Sequence, residues 1–398
     1  MNFPTVPVDD ILIHPRENDL IFGTHGRSIW VLDDITPLEQ LNDSVAAADF
    51  QLFDIRPATM WRTWSNKGST GWQFFLGPNP PNGAMIHFLL KLPGEKDEVK
   101  ITILDKDGKE VREITCRKRQ PDQQQPPAAG PGVGGFGFGA GQQQTCEPQA
   151  GINRVVWDLR YRSPIPPAPP GQPAGPGIGG GAGLGAIQAG LRVDPGTYTV
   201  KVAYAGKEQS KTITVEDDPR ITLTAEERAA RRQALNQISQ MAAPAVLAQR
   251  SIAAMRTAVN SAIESWKKPG APRVPDNVKQ AAEALLKKID EAYPVWGTPP
   301  AEATGLGFAG PPIVERPTPL PQRILQLAGQ IEGYSAAPTA DQLALLPVLQ
   351  KQLTEAGAVV RKLATEDLPA LNKLMNEAGV PHIVIPGQGG GQRPPQNP

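Results

Sequence analysis

TYTVKVAYAGKEQSKTITVEDDPRITLTAEE, residues 197–227, contains the change of period that decides the fold class. As far as Val215 apolar and polar residues alternate, which puts one face of an extended chain on a core and the other in water. Ala205-Gly206 supplies the turn between two such strands. At Asp217-Asp218-Pro219 the alternation stops. Thr224 and Glu227 have the spacing of a helix-opening capping box, and a helical run follows to about Trp266. The chain is expected to be α+β and multidomain, with strands before residue 219 and helices after it.

Towards the N-terminus the strand signals continue. Met85, His87 and Leu89 alternate with Ile86, Phe88 and Leu90, and both sets are largely apolar, as in a sandwich strand with one face partly covered. Val99 to Leu104 alternates, Asp105 to Gly108 makes a hairpin turn, Glu110 to Cys116 returns, and Gly151 to Tyr161 adds another strand. Six or seven strands over residues 46–218 are enough for a β-sandwich. Two stretches interrupt them, 120–145 and 164–190, built from Pro, Gly, Gln and Ala with hardly a charge. Such segments gain too little burial to offset their ordering entropy, and they are expected to be disordered surface loops within the sandwich.

Cys116 and Cys146 are the only cysteines, and they stand at opposite feet of the first of these loops. A disulfide between them would pin the loop to the sheet, worth on the order of 3 to 4 kcal/mol, and would point to an oxidising compartment. The alternative is two unrelated free thiols. Between Leu52 and Gly83 the pattern is irregular but rich in aromatics: Phe53, Trp61, Trp64, Trp72, Phe74 and Phe75. A glycan-stacking platform would use such rings, but packing near a domain junction is the preferred reading.

On the helical side, residues 219–385 read as an antiparallel bundle. Ile252, Met255, Val259, Ile263 and Trp266 form one stripe, and Pro244 is expected to kink the helix ahead of it. Val278, Ala282, Leu285 and Ile289 form a second stripe, and Ile324, Leu327, Ile331 and Tyr334 a third. Leu346, Leu353, Val359 and Leu363 form a fourth, opened by Thr339 and Gln342, and a short helix runs from Leu368 to Ala378. Residues 386–398 are expected to be a disordered tail.

The first 45 residues form a β-meander. Val8, Ile11 and Ile13 lie on one strand, Leu20 to Gly23 on a second and Ile29 to Leu32 on a third, with turns at HPRENDL and GTHGR. Three short strands cannot bury their faces alone.

Composition narrows the function classes. The 398 residues include 43 Pro and 40 Gly, too many for one compact body without extensive loops. Forty basic and forty acidic side chains cancel, and without a basic run nucleic acid is not an expected partner. No stretch approaches the roughly 18 apolar residues of a membrane span. The segment MNFPTVPVDD lacks the basic and apolar regions of a signal peptide.

Two segments resemble known families. GTHGRSIWVLDD (Gly23 to Asp34), leading through ITPL (Ile35 to Leu38), is similar to the closing motif of bacterial BNR/Asp-box β-propellers of the sortilin-like, glycosyl-hydrolase-labelled group, although the full Ser-x-Asp-x-Gly-x-x-Trp pattern is not present. DKDGKEVRE, GINRVVWDLRY and DPGTYTVKV, within Gly83 to Val215, resemble the Ig-like sandwich of flagellar hook-capping proteins. Together the two resemblances cover roughly half the chain. They imply that residues 1–45 are the terminal blade of a propeller whose other blades precede Met1 in a larger protein, extracellular or periplasmic, with its signal peptide upstream. The chain would then be a non-catalytic accessory module whose partner is the parent's propeller. Alternatively the parent is a BNR-repeat glycoside hydrolase with its active site in the missing blades, or a sortilin-like receptor or scaffold binding peptide or glycan.

The resemblance also assigns roles. Gly23 and Gly26 permit the tight turn, Trp30 fills the gap between blades, and Arg27 reaches nearby carboxylates or carbonyls. Trp157 anchors the sandwich core, Asp158 serves as a turn or hydrogen-bond acceptor, and Pro195-Gly196 launches the penultimate strand.

His25, Arg27, Asp33 and Asp34 are the best polar cluster for chemistry. A glycosidase needs two carboxylates about 5 to 9.5 Å apart across the scissile bond. Asp33 and Asp34 are adjacent on or just after a strand, point to opposite faces, and cannot form that pair together. His14, His87 and His382 are scattered, with no HxH, HExxH or GxSxG spacing. GFGFGAG (Gly135 to Gly141) and GIGGGAGLG (Gly177 to Gly185) lack a following Lys-Ser/Thr and a strand-to-helix context. No catalytic residue, metal or cofactor is expected within this chain.

Overall fold

The computed structural model of the chain describes residues 3–62, 80–94, 97–118, 146–167, 190–270, 273–297 and 317–385. It is mixed α+β: several sheets occupy the N-terminal part and helices the C-terminal part. Two compact units are distinguished, the first carrying the described strands and the second the long helices from Ala225 onward.

The first unit begins with β1 (Val8–Ile13), β2 (Leu20–Thr24) and β3 (Ile29–Leu32), an antiparallel sheet in the order β1-β2-β3. Two short helices follow, α1 (Thr36–Glu39) and α2 (Asp43–Ala47), the second capped by the Asn42 side chain. The remaining strands are β4 (Phe50–Leu52), β5 (Ala58–Met60), β6 (Ala84–Leu90), β7 (Glu98–Leu104), β8 (Glu110–Arg117), β9 (Gly151–Trp157), β10 (Gly196–Tyr204) and β11 (Lys207–Asp217). They form a five-stranded sheet, β5-β11-β10-β7-β8, and a three-stranded one, β4-β6-β9.

These two sheets share one apolar core, in which Ile86, Phe88, Ile101, Trp157, Val200 and Ile213 are all buried. Trp157 is at its centre: its indole N–H donates to the Arg160 carbonyl at 3.0 Å and its ring meets Tyr198 edge-on at 5.3 Å. Gly83 is needed beside it, because a Cβ there would stand 2.2 Å from the Trp157 carbonyl oxygen. The β10–β11 hairpin turns through Ala205 and Gly206, both at positive φ, as a two-residue turn between right-twisted strands requires. Cys116 and Cys146 are joined by a disulfide.

Alternation in the sequence does not betray β4 or β5, since three residues are too few to show a period. Their pairings are also non-local: β5 runs parallel to the end of β11, and β4 lies beside β6. Of the aromatics in that region Phe53 is fully buried and Trp61 half-buried, whereas Trp64, Trp72, Phe74 and Phe75 lie outside the described residues. So do the interrupting stretches apart from 164–167 and Gly190, and the tail from residue 386.

The second unit holds α3 (Ala225–Trp266), α4 (Asp276–Ala292), α5 (Leu320–Gly333), α6 (Ala340–Lys362) and α7 (Leu368–Glu377), with a π-helical turn at Leu363–Asp367. Thr224 with Glu227 and Thr339 with Gln342 make reciprocal capping boxes at the starts of α3 and α6. The helix assignment of α3 continues through Pro244. The stripes on α3 and α4 are buried as their spacing implies, except that Trp266, at the end of α3, is only half-buried.

Two stripe residues depart from expectation. Tyr334 follows the last turn of α5 in extended backbone and is exposed. Val359 is exposed and Val360 buried, because seven residues beyond Leu353 complete nearly two turns whereas six point away. Among the described residues no helix is long and apolar enough to cross a membrane.

Candidate functional site

The polar residues that the fold concentrates lie where the chain leaves the β1–β3 sheet and meets β6. After Leu32 the backbone turns at Asp34, whose φ is +53°, a left-handed conformation that aspartate tolerates better than most residues. Its amide donates to Asp19 Oδ1 at 2.9 Å. Its Oδ1 accepts from the amide and the hydroxyl of Thr36 at 3.2 and 2.6 Å, which starts α1. Asn18 closes the same turn: its carbonyl accepts the Ile35 amide, and its side chain donates to Thr36 Oγ1 and to Glu39 Oε2.

The second oxygen of Asp34 faces inward. Its side chain is fully buried, with Oδ2 3.6 Å from His87 Nδ1 on β6 and 3.7 Å from Arg56 Nε, and neither Oδ2 nor His87 Nδ1 has a hydrogen-bond partner among the described residues. Arg56 also pairs with Glu17 from the β1–β2 turn, and Arg154 on β9 reaches Asp33 Oδ2 at 3.6 Å. The cluster thus ties residues 17–34 to three positions of the sheet-on-sheet body, Arg56, His87 and Arg154. Just after this segment, the Asp54 amide donates to Gln40 Oε1 at 3.1 Å and ties the end of α1 to the same body.

Electrostatics follows burial. Desolvation holds the His87 pKa below its ordinary value, only partly opposed by the Asp34 carboxylate and reinforced by Arg154 and Arg56. Asp33 is pushed up, first by burial and then by Asp19. At Glu17 burial works against ionisation, but the hydrogen bonds and charges of Arg56 and Arg16 prevail and lower its pKa.

The residues singled out in the sequence divide between this cluster and the β2–β3 turn. Asp33 and Asp34 engage different partners, as adjacent residues on opposite faces should. His25 and Arg27 are exposed in the turn and join neither; His25 Nδ1 is 3.1 Å from Asp9 Oδ2. Gly26 has φ +72° and is the turn's glycine, whereas Gly23 belongs to β2 and needs no positive φ. Trp30 donates to the Arg27 carbonyl and meets Phe3 edge-on. Glu17, Arg56, His87 and Arg154 were not grouped with Asp34 by any local spacing. His87 alone carried a signal, as a histidine in an otherwise apolar strand.

The inward oxygen of Asp34 is sealed from solvent, and the ion pairs around it act as a latch between residues 17–34 and the sheet-on-sheet body. In the helical unit, a groove of about 900 Å³ between α3 and α6 is lined by residues such as Leu247, Ala248, Arg250, Gly357 and Ala358; no carboxylate, histidine or cysteine is among its lining residues. No group of His, Cys, Asp and Glu among the described residues is placed to hold a metal ion. Comparison with family models, with curated proteins and with solved structures finds no match to the chain.

Proposed function

We propose that this chain is a non-catalytic accessory module of a secreted β-propeller protein, with residues 1–45 as the terminal blade, 46–218 as an Ig-like sandwich and 219–385 as a helical bundle. The observation that carries the reading is the β1–β3 sheet, which is apolar on both faces and largely uncovered by the described residues, Phe3 alone packing on Phe22 and Trp30 on one of them. By register, Ile11, Ile13 and Leu32 share one face, and Leu12, Val31 and Ile29 share the other. All six are between 45% and 69% exposed. A sheet with one wet face would alternate apolar and polar residues; one that is apolar on both faces suits a position between two neighbours, as a propeller blade has.

The latch supports the accessory role, because it fixes this sheet to a folded body while leaving Ile11, Ile13 and Leu32 on one face and Leu12, Ile29 and Val31 on the other exposed. Trp157 with Tyr198, whose hydroxyl donates to the Asp194 carbonyl at 2.7 Å, supports the Ig-like reading by likeness to a tyrosine corner beside a core tryptophan. The Cys116–Cys146 bond supports an extracellular or periplasmic location.

The DNA upstream of Met1 tests the proposal. An in-frame continuation with a signal peptide and repeated blade motifs is the expected result; a stop codon and ribosome-binding site next to Met1 would overturn it. Glycan hydrolysis by the 398-residue chain alone would equally overturn the non-catalytic assignment.

A further inference from the structure

We propose that the groove between α3 and α6 is a seat for an extended proline-rich chain, and that the protein's own Pro164-Ile165-Pro166-Pro167 is the segment it holds. The inference is independent of the propeller reading. Residues 163–167 and both helices belong to the second unit, so the seat lies within one compact body.

A proline-rich segment has an unusual hydrogen-bonding face. Proline carries a carbonyl but no N–H, and its ring pre-sets an extended backbone that loses little entropy on docking. In residues 164–167 the one N–H is that of Ile165, and it is spent on Ser163 Oγ at 3.2 Å. The segment therefore offers the groove acceptors only. The Pro166 and Pro167 carbonyls take that role, both accepting from Arg250 Nη1 on α3, at 2.7 and 3.3 Å.

The groove is built as the complement. Pro166 and Pro167 line it beside Leu247 and Ala254 of α3. On α6, Gly357 and Ala358 leave room for a main chain to lie close. The charged side chains lining it, among the described residues, are Arg250 and Arg361, which are donors with no acceptor capacity. An ordinary extended segment would bring a row of N–H groups to a wall with no carboxylate to receive them. A proline-rich one brings none.

The probe is a labelled peptide SPIPPAPP, residues 163–170, titrated against the full chain and against Pro166→Gly/Pro167→Gly, whose own segment loses its pre-set backbone. Binding is expected to be at least about tenfold tighter to the glycine variant, because the native seat is filled at high effective concentration. Arg250→Ala added to the glycine variant should weaken binding by about tenfold or more, and so should alanine at every proline of the peptide. Equal binding to the native chain and the glycine variant would overturn the stated occupant. No binding by a folded glycine variant at about 1 mM peptide would overturn the seat itself. An alanine peptide that binds as well would overturn the proline chemistry. Dimerisation that grows with concentration and is lost in the glycine variant would hand the segment to a second copy and overturn the assignment within one chain.

If the glycine variant does not fold, Arg250→Ala in the native chain decides. Cleavage of the Pro164–Ile165 bond by a proline-specific endoprotease should then be at least about tenfold faster, with helical circular dichroism unchanged. Unaltered cleavage would overturn the proposal.

Discussion

Asp34 Oδ2 and His87 Nδ1 face each other 3.6 Å apart inside the protein, the first just past the β1–β3 sheet and the second on β6, and neither atom has a hydrogen-bond partner among the described residues. The separation is too long for a hydrogen bond. Two buried polar atoms left in this state cost stability, and what holds them is the ring of ties around them: Thr36 and Asp19 on Asp34, Arg56 on Glu17, and Arg154 on Asp33.

The first prediction concerns pH. Because burial lowers the His87 pKa from 6.5, the unfolded chain binds a proton that the folded chain resists. Stability therefore rises with pH in the window between the folded pKa and about 6.5, by up to about 1.4 kcal/mol per pH unit, and is lost on acidification through it. Urea unfolding between pH 5 and 8 should show this slope in the native chain and a flat response in His87→Gln. Glu17, lowered from 4.5, contributes a loss at more acid pH that both proteins share, while Asp33, raised from 3.8, opposes it there. Equal slopes above pH 5 would remove His87 from the account.

Arg56 should be the least replaceable member of the latch. Its loss leaves the buried Asp34 carboxylate without its cation and Glu17 with Arg16 alone, at a cost of about 3 kcal/mol. Arg56→Met should also speed tryptic cleavage after Arg16 and Arg27 as the N-terminal sheet comes loose. Unchanged cleavage would mean that the apolar contacts hold the sheet without the charges.

Replacing both Cys116 and Cys146 by serine should destabilise the first unit by about 2 to 4 kcal/mol, read from urea unfolding. The mass of the non-reduced native chain, two hydrogens below that of the dithiol, verifies the bond itself.

The two tryptophans in similar strand contexts should respond very differently. Trp157→Ala opens the core shared by two sheets and should cost about 3 to 5 kcal/mol. Trp30→Ala, on a half-exposed strand, should cost much less in the same urea experiment. A comparable cost would show that residues 1–45 carry a core of their own.

The α+β division, the long strands, both capping boxes and the four stripes were legible because each is written in a local period of two or 3.6 residues. The latch was legible only in part. Asp33 and Asp34 stood out as an acidic pair, but sequence proximity grouped them with His25 and Arg27, which the β2–β3 turn carries out into solvent. Arg56, His87 and Arg154 come from 22 to 121 positions away along the chain, distances at which no spacing rule applies.

By itself, then, the sequence determined where the long strands and long helices run, which faces are apolar, and that the first three strands could not satisfy themselves. Tertiary structure alone decided that Asp34 is buried beside His87 and that β4 and β5 exist. The reason is physical. A strand's alternation and a helix's stripe are properties of neighbouring residues, whereas burial of a carboxylate and the pairing of a three-residue strand depend on which distant segments dock and in what register.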